Sequence, residues 1–235
     1  VVAERSIHSP DWLHSVSPLR HLLRVVANRM FPKSEDGGAM KTNLWSVTAP
    51  LFAVPITVLI AATASLLQLQ VDLQSSVELR FAELQAAGIW RLATCHLLHW
   101  SHDHFLWDVL VLVAAGCVCE SRWPRRFGVV LAAAGVLIPA VVLISAPEVL
   151  SYRGLSGLDS ALFALAAGSL FVEEAAAGRR AAAMVAGAAV AGQFLKIAVE
   201  TAAGQTLFVQ DAPFIPVPLA HLCGALIGSL VALWR

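Results

Sequence analysis

The chain has 235 residues, of which 58% are hydrophobic and only 14% charged, and its mean hydropathy is +0.72. Soluble proteins carry about 25% charged residues, so the composition indicates a polytopic membrane protein and leaves no room for two soluble domains besides. The 16 basic and 16 acidic residues cancel, and nothing in their balance implies a nucleic-acid partner.

Residues 1–48 are polar and basic, with Arg5, Arg20, Arg24, Arg29, Lys33 and Lys41, and read as an N-terminal extension. Within it, residues 11–30 have the periodicity of a short surface helix, and residues 33–38 read as a linker. No signal-peptide pattern is visible.

From 49 to 235, apolar segments recur at the ~20-residue length of a membrane helix. The first span is expected at 49–69. Residues 71–100 contain Glu78, Arg80, Glu83 and Arg91, too many charges for a span, and read as a membrane-associated first loop. The second span begins at Ser101, a suitable N-cap with Asp103 in the first turn, and ends near Glu120. The third to sixth are expected at 127–146, 155–172, 181–199 and 216–234. Cys95, Cys117, Cys119 and Cys223 all lie in apolar stretches, where thiols act as small hydrophobes, and no disulfide framework is expected.

Basic residues set the orientation. With a cytoplasmic N-terminus, the inside regions hold Arg122, Arg125, Arg126, Arg179, Arg180 and Arg235, and the outside regions only Arg80, Arg91 and Arg153. The expected fold is therefore an all-α membrane protein with a six-helix bundle and both termini in the cytoplasm. The second, fourth and sixth spans then run from outside to inside. His104, Ser156 and His221 sit near their outer ends, within roughly 10 Å of one boundary at ~1.5 Å rise per residue.

Polar side chains at such depth are expensive and point to function. Gly157, Ala161, Ala164 and Gly168 form a small-residue stripe on the fourth span, and Gly224 and Gly228 continue the stripe of His221 on the sixth. Such faces allow close approach of membrane helices, which would bring Ser156 to His221. A serine becomes a nucleophile beside a neutral imidazole. Leu158 breaks the glycine pattern of the soluble hydrolases' nucleophile elbow.

Trp90-Arg91, His99, His104, position 108, Gly154-Leu155-Ser156-Gly157 and Ala220-His221 followed by Gly224 and Gly228 together resemble the rhomboid intramembrane serine proteases, in order and over all six spans. The resemblance implies Ser156 as nucleophile and His221 as general base, a dyad without an aspartate. It also implies an oxyanion hole from His104 and the Ser156 N–H, supported by Asp108, His99, Leu155 and Gly157, with Trp90-Arg91 in the first loop. No cofactor and no metal are implied. The expected partners are the lipid bilayer and a single-span or C-terminally anchored membrane protein. The expected location is a bacterial inner membrane with the active site toward the outer face. Three positions depart from the family: Asp108 stands where Asn is usual, Cys95 replaces a histidine, and Ser160 replaces an aromatic residue. A carboxylate would repel an oxyanion unless protonated, or could instead hold the tautomer of His104. Gly-Leu-Ser-Gly with Pro218-Leu219-Ala220-His221 is similar to the rhombosortases, which process proteins with C-terminal sorting tails.

Other polar residues suggest other roles. The cluster His96, His99, His102, Asp103 and His104 straddles a loop and a helix, which argues against metal binding. Asp159 suits a polar contact at a helix interface, Lys196 and Glu200 an i,i+4 pair, and Glu120 a hydrogen bond to loop backbone. The fifth span, with Gly187 and Gly192, and the loop 201–218 are candidates for a mobile gate. Two alternatives are a rhomboid-like protein that binds membrane helices without cutting them, which Asp108 would favour, and a small transporter with a proton path through His104, Asp108 and His221.

Overall fold

The computed structural model describes residues 54–84, 88–146, 149–207 and 217–234; the helix expected at 11–30 and the linker at 33–38 lie outside the described residues. Each expected span contains a helix: α1 (Pro55–Leu69), α4 (His102–Arg122), α5 (Pro124–Ser145), α6 (Ser156–Ala176), α7 (Arg180–Ala203) and α8 (Pro218–Ala232). The four from α4 to α7 are 21 to 24 residues long and apolar enough to cross a membrane, while α1 and α8 are apolar helices of 15 residues. The first loop folds into short helices α2 (Val71–Val77) and α3 (Arg91–Thr94). Between them, strand β1 (Leu79–Arg80) pairs antiparallel with β2 (Ser151–Tyr152), placing Leu79 opposite Tyr152.

Local chemistry explains where the helices begin. Ser101 caps α4 as its sequence suggests, its Oγ accepting the His104 N–H at 3.1 Å. Pro124 and Pro218 open α5 and α8, where a missing N–H loses no helical bond. Glu120 was expected on loop backbone but caps a helix instead. Its two oxygens accept the N–H groups of Ile56 and Thr57, each at 2.8 Å. Those donors have no partner inside α1, and the carboxylate also meets the positive end of the helix dipole.

The centre of the bundle is α6, which packs on α4, α5, α7 and most extensively on α8. The two small-residue stripes meet as their spacing predicts. A Cβ on Gly224 would lie 2.0 Å from the Gly157 carbonyl oxygen, and one on Gly228 would lie 2.0 Å from that of Ala161. Lower down, a Cβ on Gly168 would come 2.9 Å from that of Ala232. Only glycine lets the backbones of α6 and α8 touch there, starting at the residue after Ser156 and one turn after His221. At the far end of α6, Arg122 and the Trp123 indole N–H both bond Glu173 at 2.7 Å, tying the α4–α5 turn to α6.

Large apolar side chains such as Leu59, Leu66, Leu110, Ile144, Met184, Leu195 and Leu230 are exposed, a distribution that suits a lipid environment. Among the four long helices α6 is the most buried and α7 the least. Of the glycines expected to loosen α7, Gly192 faces open space, whereas Gly187 packs against the Phe171 ring.

The β1–β2 pair is held by a buried acid. Glu78 accepts from Arg153 and Arg80, each at 3.0 Å, and Arg153 also reaches Gln74 at 3.2 Å and stacks 4.5 Å from the Trp100 ring centre. Burial pushes the Glu78 carboxyl pKa up, but the hydrogen bonds and charge of Arg153 and the bond from Arg80 outweigh it and hold the pKa below the ordinary value.

Two stability measurements check these contacts. Gly224→Ala should lower the midpoint of thermal unfolding in detergent by the equivalent of ~1–3 kcal/mol or more, while Gly128→Ala, where nothing lies within 4 Å, should be neutral or stabilising. Glu78→Gln should cost about 1.5–3 kcal/mol at neutral pH. Because the folded pKa is depressed, that difference is fully present above the ordinary carboxylate range and disappears as pH falls through the depressed value.

Candidate active site

The chain enters α6 through a turn built on glycine. Gly154 has φ +123, a conformation that L side chains rarely adopt, and a Cβ there would lie 2.9 Å from Cε1 of His104. Its N–H donates to the Cys95 carbonyl at 3.2 Å, and the next N–H, of Leu155, donates to Asp108 Oδ2 at 3.0 Å. Asp108 is 5% exposed, and the same oxygen lies 3.2 Å from His104 Nε2 and 3.3 Å from His99 Nε2. The rings of His99 and His104 meet edge to face with centres 5.3 Å apart. Ser156 follows as the first residue of α6, so its N–H has no acceptor within the helix and stands at the positive end of the dipole.

The structure gives Asp108 a second partner beside His104. Asp108 acts as an acceptor from the loop that presents Ser156, and it faces Nε2 of His104, as the alternative reading of the sequence had it. His104 thus faces Asp108 through Nε2, while the Ser156 N–H takes no part in this network.

Ser156 and His221 open onto one cavity of about 680 Å³, with walls from α4, α6, α7, α8 and the 149–153 loop. His104, Asp108, Asp159, Lys196 and Glu200 also line it. His221 reaches it from the first turn of α8, fixed by the Gly157–Gly224 contact one turn away. The imidazole does not stand alone: its Nδ1 is 3.1 Å from Oε2 of Glu200 on α7. Glu200 does pair with Lys196 as expected, with Nζ at 2.8 Å from both oxygens, but the contact with His221 went unforeseen. The missed signal is periodic. Gln193, Ile197 and Glu200 recur at spacings of four and three on one buried face of α7, and two of the three are polar. Gln193 uses that face to donate to the Ser160 carbonyl at 2.7 Å.

The remaining candidates lie around this centre. Leu155 is fully buried, and Gly157 leaves little room, since a Cβ there would meet Ile138 at 3.0 Å and the Tyr152 hydroxyl at 3.1 Å. Trp90 and Arg91 stack on each other, guanidinium carbon 5.5 Å from the ring centre, at the start of α3 and outside the cavity lining. The histidine cluster divides its duties. His96 spans the carbonyls of Gly154 and Gly135 at 3.2 and 3.1 Å, joining the serine loop to α5, while His102 is exposed. Asp159 does not make the interfacial contact expected of it. At 4% exposure, it lines the cavity and has no hydrogen-bond partner among the described residues.

Against known proteins, the sequence model of the Rhomboid domain matches residues 86–235, more than half of the chain. None of the curated proteins matches it.

If Asp108 serves as the acceptor for the serine loop, Asp108→Leu should lower stability by about 2 kcal/mol or more, because the Leu155 N–H loses the buried acceptor it donates to. Asp108→Asn keeps an acceptor oxygen and should lose less than half as much. Thermal unfolding of the two purified variants measures the difference.

Proposed function

We propose that this chain, which belongs to the rhomboid family, is an intramembrane serine protease whose nucleophile is Ser156 and whose general base is His221. The observation that carries this reading is the backbone contact of Gly157 with Gly224. It holds the two helix ends that bear the serine and the imidazole on one cavity.

His221 takes the hydroxyl proton as Ser156 Oγ attacks the scissile carbonyl carbon. The negative charge formed on the carbonyl oxygen is met by the Ser156 N–H at the start of α6, where the helix dipole also favours an anion. The imidazolium then returns its proton to the leaving amine, and water, activated by the same histidine, releases the acyl group from Ser156. Asp108, Gly154 and Leu155 contribute by fixing the turn that aims Ser156. With Asp108 occupied in that way, it no longer favours a protein that binds helices without cutting them.

The substrates are single-span or C-terminally anchored membrane proteins, entering from the bilayer. The basic clusters around Arg122 and Arg179 support six spans with both ends in the cytoplasm and an active site toward the outer face of the cell membrane. The gate is α7, the least buried of the long helices; of the loop after it, 208–216 lies outside the described residues.

A fluorophosphonate probe should label the detergent-purified protein at one site. Labelling should vanish in Ser156→Ala and slow by ~10³-fold or more in His221→Ala. Equal labelling of wild type and Ser156→Ala would exclude Ser156 as nucleophile. Cross-linking α7 to α4 should block cleavage of a membrane-spanning substrate yet leave probe labelling within a few-fold of the uncross-linked protein; undiminished cleavage would place the gate elsewhere.

A further inference from the structure

We propose that Glu200 is the positioning acid for His221, so that the serine–histidine pair operates as a serine–histidine–glutamate triad. The proposal rests on reading Ser156 and His221 as nucleophile and base, and it adds a residue that the dyad does not include.

Three observations carry it. The first is direct contact: Glu200 Oε2 lies 3.1 Å from Nδ1 of His221, across from α7 to α8. The second is burial with full compensation. Glu200 is 1% exposed, Lys196 Nζ sits 2.8 Å from both of its oxygens, and the Leu207 N–H donates to Oε1 at 3.1 Å. A buried charge left without such partners would be costly, so this set keeps Glu200 an anion in place. The third is that, among the described residues, no other acid is paired with the imidazole. Asp108 is engaged with Leu155, His99 and His104, and Asp159 has no hydrogen-bond partner among the described residues.

The chemical consequence follows from donor and acceptor roles. A carboxylate only accepts, so Nδ1 of a neutral His221 must carry the proton. The lone pair is then on Nε2, the nitrogen available to take the Ser156 proton. When the imidazole becomes an imidazolium, the adjacent anion stabilises it, which is the part the aspartate plays in soluble serine proteases. A purely structural Glu200 would anchor Lys196 and Leu207 and leave the rate of serine activation unchanged.

The two roles separate in the kinetics of inactivation by a fluorophosphonate probe, followed together with thermal unfolding of the same samples. E200Q should lower the maximal inactivation rate by about 100-fold, with the half-saturating probe concentration within about 2-fold of wild type. E200D, which restores a carboxylate one methylene short, should recover at least about tenfold of that loss. If E200Q fails to fold, E200D alone decides: at wild-type thermal stability its maximal rate should still fall about fivefold or more below wild type. A maximal rate for E200Q within about 3-fold of wild type overturns the proposal, as does a loss that E200D does not recover. Wild-type protein that fails to label at Ser156 would instead overturn the protease reading, and the triad with it.

Discussion

Everything at the site depends on the contact between α6 and α8. In lipid, apolar side chains gain little by leaving one apolar surface for another, so close packing and satisfied polar groups have to hold helices together. Gly224 and Gly228 supply the packing by removing every side-chain atom between the two backbones, down to contact with the carbonyls of Gly157 and Ala161. The contact begins at the residue after the serine and one turn after the histidine. It therefore fixes the relative height and separation of two residues that lie sixty-five positions apart in the chain. Both belong to helix ends, and helix ends inherit the rigidity of the helices behind them.

Buried carboxylates do the finer placement. Glu120 caps α1, Glu78 gathers Arg80 and Arg153 around the β1–β2 pair, Asp108 holds the Leu155 N–H and faces His104, and Glu200 meets Lys196, Leu207 and His221. Each joins elements distant in sequence, and each is surrounded by donors, as a buried anion must be. Asp159, by contrast, is a carboxylate that faces the cavity without a hydrogen-bond partner among the described residues. The serine loop lies between two of these acids: Glu78, through Arg153, holds the strand before it, and Asp108 holds its last N–H. Gly154, with its positive φ and no room for a Cβ, is the pivot.

Much of this was legible in the sequence. The spans stood out because their apolar length is dictated by a bilayer, and the Ser101 cap because it is a local matter of one side chain and one N–H. The α6–α8 contact was readable from the spacing of glycine and alanine, since small residues three and four apart make a continuous face. The roles of the acids were not. Spacing places Lys196 and Glu200 on one face of a helix, but it cannot say that His221 on another helix lies opposite. Likewise Asp108 sits one turn from His104 in sequence, while its decisive partner, the Leu155 N–H, comes from 47 residues away. Partner choice for a long polar side chain is set by packing between helices, and a single sequence carries that only through the polarity of the buried face.

The most direct test of the account is a high-resolution structure of the protein in lipid with a phosphonate bonded to the active-site serine. The account predicts a bond from phosphorus to Ser156 Oγ and His221 Nε2 within hydrogen-bond distance of that oxygen, about 3.5 Å or less. It also predicts that Glu200 remains on Nδ1. A phosphonate carried by another residue would contradict it, as would an imidazole beyond reach of Ser156 while the Gly157–Gly224 contact stays intact.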